Sequence, residues 1–201
     1  MAISINGNGT ITGISAGGLP DGSVTAADLA STLDLTGKTV TLPSGTGGKI
    51  LQVVSTTKTD KATLSGSTYA WTDISGMSAT ITPSSSSNKI FIQVMLNHGL
   101  DSSPGDAAFK LVRGSTDIAI GDADGSARRS TVGSQLRDFA EMQNSHISFL
   151  DSPATTSATT YKLQWIINSG IFRLNSEGSS NSANTSYDRG ISTITLFEVA
   201  A

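Results

Sequence analysis

The chain of 201 residues has no cysteine, and only two of its residues are histidine. That excludes a disulfide framework, a thiolate zinc centre and a thiol nucleophile, and it leaves little imidazole for metal or acid–base work. Charge is also scarce, at 14% Asp, Glu, Lys and Arg, where ordinary domains hold about 25%. The balance is slightly acidic, −3 with a pI near 5.2 and no basic cluster. Nucleic-acid binding is therefore not expected, because phosphates call for concentrated Lys and Arg. Hydrophobic runs stay well short of the ~18 residues that cross a bilayer. Met1 to Thr12 has neither the basic nor the apolar region of a signal peptide. Ser and Thr fill the space the charges leave: there are 56 of them, beside 21 Gly.

The texture changes near residue 48. Residues 1–48 are Gly, Ser and Thr with single aliphatics between them, too little to bury a core. Asn6-Gly7-Asn8-Gly9 predicts a tight turn between two short extended pieces, since Asn-Gly accepts positive φ. Gly17 to Gly22 is a turn cluster. After it, Thr25 can cap a short helix, with Asp28 in the capping-box position and Val24 stapled to Leu29. Leu29 and Leu33 share one face of that helix. A helix this short does not stand alone in water, so Val24, Leu29 and Leu33 are expected to meet sister chains. Leu35 to Pro43 reads as an extended strand, and Ser44 to Gly48 as a linker.

Residues 49–201 alternate apolar and polar, as strands do. Ile50 to Val54 opens the series; Tyr69 to Asp73 and Met77 to Thr82 flank a turn at Ser75-Gly76; Ile90, Ile92, Val94 and Leu96 share one strand face. Phe109 to Arg113 and Thr116 to Ile120 read as a hairpin across Gly114-Ser115. Ile147 and Phe149, with a partner strand carrying Tyr161, Leu163, Trp165 and Ile167, continue the series, which Ile171–Leu174 and 190–199 complete. Nine or ten strands and no helix after residue 48 predict an all-β, jelly-roll-type sandwich behind an extended stalk. Trp71 and Trp165, each placed in an alternating strand, are assigned to the core. Two strands are apolar on both faces: Phe91 and Met95 back the aliphatics of the first, and Ile191, Phe197 and Val199 oppose Ile194 and Leu196 in the last. Such strands are buried on both sides. The second cover is either another subunit or a loop folded over one sheet.

Several stretches then resemble one family. Ile5 to Ile14 followed by Gly17 to Leu29 is similar to the amino-terminal region of tail fibre and tail-associated proteins of aquatic bacteriophages. Leu42-Pro-Ser-Gly-Thr-Gly-Gly-Lys-Ile-Leu-Gln-Val-Val54 resembles the junction into their head domain, and Ile81 to Ile90, Leu111 to Ser115, Leu150 to Pro153 and Tyr161 to Gln164 resemble segments of that head. The resemblance implies a homotrimeric fibre in the virion tail. Residues 1–48 would dock on a neighbouring tail or baseplate protein, and residues 49–201 would meet a glycan or protein of the host surface. A fibre or decoration protein on the capsid is the neighbouring alternative; a small carbohydrate-active enzyme or a lectin is the alternative of another class.

Chemical motifs are thin. Gly37-Lys38-Thr39 has the end of a phosphate loop, but the Gly required at position 32 is Thr. Asp122-Ala-Asp-Gly125 opens like a calcium loop, yet Arg128 and Arg129 follow where further oxygens are needed. His98 and His146 lack neighbours at ligand spacing and lie in no catalytic setting, although copies could pair them across a trimer axis. The expectation is a protein without enzymatic activity, metal or cofactor. Polar, Gly-rich loops on a rigid sandwich are where recognition sits. The candidates are Asp101 and Asp106 in one loop, Asp122, Asp124, Arg128 and Arg129 in a second, and Tyr187 and Arg189 in a third.

Overall fold

A computed structural model describes residues 4–5, 11–12, 49–66, 69–101, 105–136, 142–177, 185 and 187–201. The chain divides into two compact units, Met1–Thr46 and Gly47–Ala201. In the first, β1 (Ser4–Ile5) pairs antiparallel with β2 (Ile11–Thr12). The extended pieces expected on either side of Asn6-Gly9 are therefore paired, while the turn itself lies outside the described residues. The expected helix, with Val24, Leu29 and Leu33, and the strand Leu35–Pro43 lie outside the described residues.

The second unit runs through β3 (Ile50–Lys58), β4 (Ala62–Ser65), β5 (Thr72–Ile81), β6 (Lys89–Leu100), β7 (Gly105–Arg113), β8 (Thr116–Ile118), β9 (Val132–Leu136), β10 (Met142–Asp151), β11 (Thr159–Ile167), β12 (Ile171–Leu174) and β13 (Ser192–Val199). It is an all-β sandwich. In one sheet, β6 has β10 along one edge; along the other it pairs with β13 through residues 89–95 and with β12 through residues 98–100. β3 then pairs with β13, and β4 with β12. The second sheet runs β5, β11, β7, with β8 and β9 sharing the last edge. Treating β3/β4, β8/β9 and β12/β13 as split strands leaves eight, ordered 1-8-3-6 and 2-7-4-5. That double Greek key is a jelly roll.

Alternation decides which side faces the other sheet. Ile90, Ile92, Val94 and Leu96 point inward and are buried, as are Ile194 and Leu196. From the other sheet come Met77, Ile81, Phe109, Leu111, Tyr161, Leu163 and Trp165. Each such side chain stabilises the fold by about 1.5–3 kcal/mol.

The hairpin at Gly114-Ser115 forms as expected, with Gly114 at φ 59°. Three expectations need correction. Ser75-Gly76 is not a turn: β5 continues through it, and four residues, 74–77, stand opposite Leu163 alone. This bulge needs Gly76 at φ 80°, and it lets both Ile74 and Met77 reach the core. Secondly, the strand of Ile147 and Phe149 (β10) does not partner that of Tyr161 to Ile167 (β11), because the two belong to opposite sheets. Period-2 alternation fixes which residues face inward but not which strand lies alongside. Thirdly, Trp71 precedes β5 and is not a core residue; Lys110 Nζ lies 4.6 Å from the centre of its ring on the outer side of the second sheet. Among the described residues the strands after residue 48 number eleven, because three of the eight positions are each shared by two strands.

Both ends of the sandwich are tied. Where the chain enters, Ala200 N donates to Lys49 O (2.8 Å), and the buried Glu198 carboxylate accepts from Ser84 N (2.6 Å), Ser84 Oγ (2.7 Å) and Asn88 Nδ2 (2.7 Å). Burial pushes that carboxyl up, but the Asn88 and Ser84 donors outweigh burial and hold it below its usual value. The Gly114 turn and the 152–158 connection share this end. At the other, β6, β9 and β11 end and β7, β10 and β12 begin.

Candidate functional site

Asp101 and Asp106 lie at that far end, and the structure brings some of the other recognition residues proposed from sequence to them. β6 runs to Leu100, so Asp101 begins the connection to β7, and Arg173 Nη2 of β12 donates to its Oδ2 at 2.6 Å. Asp106, at the start of β7, accepts from Arg128 Nη2 at 2.9 Å. Asp106 is also tied to Asn168: its N donates to the side-chain Oδ1 of Asn168, and Asn168 N donates to Asp106 O, both at 3.1 Å. The first and second candidate loops thus meet through Asp106 and Arg128.

Asp122 and Asp124 are exposed, and Asp124 O accepts from Ala127 N (2.9 Å) in a turn made by Gly125 at φ 52°. Arg129 Nε donates to Gly121 O at 2.6 Å, closing the same loop on itself. An ordinary turn accounts for this segment. The third loop is held against β6 instead. Gly99 lies so close to Ser176 and Glu177 that a Cβ there would stand 2.7 Å from Ser176 O. Asp188 N donates to Glu177 Oε1 (3.1 Å), and Asn97 Nδ2 donates to Ile191 O. Tyr187 is half-buried and Arg189 exposed. Asp101, through Arg173, and Gly99, through Glu177, place the first and third loops on one strand end. Among the described residues, neither Asp122 nor Asp124 bonds to that cluster.

The two histidines differ sharply. His146 is exposed on β10. His98 is 0% exposed, and its ring centre lies 5.1 Å from that of Phe109 and 5.2 Å from that of Phe172. Its Nε2 and Ser145 Oγ share a hydrogen bond at 2.9 Å, while Nδ1 has no partner. Burial pushes its pKa down to about 4. A hydroxyl on an imidazole is the contact of a nucleophile with its base. Here both groups are sealed in the core, and no carboxylate orients the ring through Nδ1. Among the described residues no three His, Asp or Glu side chains come together to hold a metal.

Sequence reading missed a further cluster. Arg113 Nη1 donates to both oxygens of the buried Asp151 (2.8 Å each), and Tyr161 OH donates to Asp151 Oδ2 at 2.6 Å. Burial, and then the Asp151 carboxylate, pushes the Tyr161 phenol up. A shallow cleft of about 340 Å³ lies beside Arg113, between the Gly114 turn and the Pro153–Thr160 segment. Asp151 ends one sheet's strand and Arg113 ends a strand of the other, so no sequence spacing announces the pair.

No family model matches the chain, and no curated protein matches it in sequence. Among solved structures, the VP2 subviral particle of infectious bursal disease virus aligns with a TM-score of 0.35 and 14% identity, over 86% of this chain and 50% of that one. The chain thus spans about half the length of that capsid protein.

Proposed function

We propose that this protein is a non-enzymatic fibre of a phage virion, a homotrimer that docks through residues 1–48 and binds a glycan or protein of the host surface with the jelly-roll head of residues 49–201. The observation that carries this reading is the polarity of the head. The chain enters at Lys49 at one end, while the loop containing Asp101 and the Asp106–Arg128 pair stands at the other. A sandwich mounted by one end presents its opposite loops outward. The resemblance of Ile5 to Leu29 and Leu42 to Val54 to tail fibre segments supports the same assignment. Ion pairs at the candidate loops fix their shape, which lowers the entropy lost on binding. Three weak sites on one fibre, with several fibres per particle, raise the effective concentration of each.

Gold-labelled antibody against the head, imaged on intact particles, tests the placement. Label at the tail supports the proposal. Label over the capsid shell favours a capsid fibre or decoration protein, and unlabelled particles overturn the virion assignment. Release of reducing ends from host polysaccharide by the purified chain would contradict the non-enzymatic reading.

A further inference from the structure

The two outer faces of the sandwich are treated differently. On the β5–β11–β7 side the chain supplies its own cover and charge: Trp71 stacks on Lys110, and Asp73–Lys162 (2.7 Å), Lys110–Asp117 (2.9 Å) and Asp106–Arg128 (2.9 Å) form ion pairs. The opposite face, of β3, β13, β6 and β10, is nearly uncharged: Lys89 is the one charged side chain directed outward from those four strands.

Register sets four large apolar residues side by side there. Val53 stands opposite Phe197, Phe197 opposite Phe91, and Phe91 opposite Leu150. The row crosses the whole sheet from the β3 edge to the β10 edge, about 14 Å at ordinary strand spacing. Val53 is 54% and Leu150 47% exposed, and Ile50 adds 51% at the same end. The two Phe rings lie 6.0 Å apart. The next row, Ser55, Thr195, Gln93 and Ser148, is polar but uncharged.

We infer that this row is the contact between heads, covered by the same row on two further copies of the chain around a shared axis, with the β3 edge of one copy beside the β10 edge of the next. The inference rests on the trimeric reading above and names the surface it uses. Two observations select sister chains as the occupant. The row begins four residues after Lys49, where residues 1–46 join the head, so copies gathered by that first unit would be tethered beside this row. A tether of that length holds partners at millimolar effective concentration. The face is also almost free of charge, so identical copies meet there without like-charge repulsion.

The absence of cysteine makes the test direct. In the full chain, Val53→Cys, Leu150→Cys and, on the opposite outer face, the exposed Ser78→Cys are made singly, and the row pair is also made together. At about half exposure, Val53 and Leu150 tolerate the change. The expected result is a trimer in which both row thiols react with a water-soluble maleimide at least tenfold more slowly than Ser78→Cys. A short bis-maleimide then joins three chains covalently in V53C/L150C but no more than two in either single variant. A trimer whose row thiols react as fast as Ser78→Cys overturns the inference and leaves the fibre reading standing. Protected thiols that never link separate chains overturn it too, because the cover is then intramolecular. A monomeric full chain removes the trimeric reading and the inference together.

Discussion

Gly99 has no space for even a methyl group: a Cβ would stand 2.7 Å from Ser176 O and 2.8 Å from Glu177 Cα, backbone atoms that cannot rotate away. Gly99→Ala is expected to lower stability by about 1–3 kcal/mol, read as a fall in the thermal or urea midpoint, and to loosen the 175–191 connection. His98 provides a pH test. Its folded pKa, about 4, lies below its ordinary value of 6.5, so the unfolded chain binds more protons between those values. The stabilisation is fully present above pH 6.5, is lost as pH falls toward 4, and is level below that. It amounts to roughly 3 kcal/mol. Urea midpoints from pH 7 to 4 should follow this slope, and His98→Gln, which still offers a hydrogen-bond partner to Ser145, should flatten it. An unchanged slope in the variant would assign the pH dependence elsewhere. Asp151→Ala is expected to cost about 3–5 kcal/mol, because it strands Arg113 and the Tyr161 hydroxyl beside the core. Tyr161→Phe removes one hydrogen bond and should cost only about 1–2 kcal/mol; equal losses in the two variants would contradict this ranking.

At the scale of elements, the connection between β5 and β6 depends on Glu198, which accepts from two groups of Ser84 and from Asn88. Glu198→Gln replaces a charged acceptor with a neutral one. Faster hydrogen exchange at Asn88, whose N bonds to Ser85 O, is the expected outcome. Because the folded carboxyl titrates below its ordinary value of 4.5, its contribution is present above that pH and fades as pH falls through the folded pKa. Strands were largely legible in the sequence, because burying one face imposes a period of two that Ile90 to Leu96 and Tyr161 to Ile167 display openly. Pairing was not. Leu163 alone faces 74–77 because Gly76 tolerates φ 80°, and β10 and β11, adjacent in the chain, lie in opposite sheets. These are outcomes of long-range packing that no local pattern encodes. Trp71 departs from the core for a related reason: a cation stacked on a half-buried ring satisfies a Trp as well as a core does.

For the whole molecule, the informative feature is the contrast between a charged, self-covered face and one bearing the row from Val53 to Leu150. The sequence hinted at it through the doubly apolar strands of Phe91 and Phe197, which both belong to the face with the row, while Trp71 stands by Lys110 on the other sheet. The candidate loops were legible as Gly-rich polar stretches, but the pairs joining them, Asp101–Arg173 and Asp106–Arg128, require partners 72 and 22 residues away and were not. Assembly is the claim on which the placement of head, loops and row depends. Light scattering of the purified full chain at micromolar concentration measures it directly: the account predicts a particle of three times the 20.6 kDa chain mass, and a mass of one chain at that concentration would contradict it.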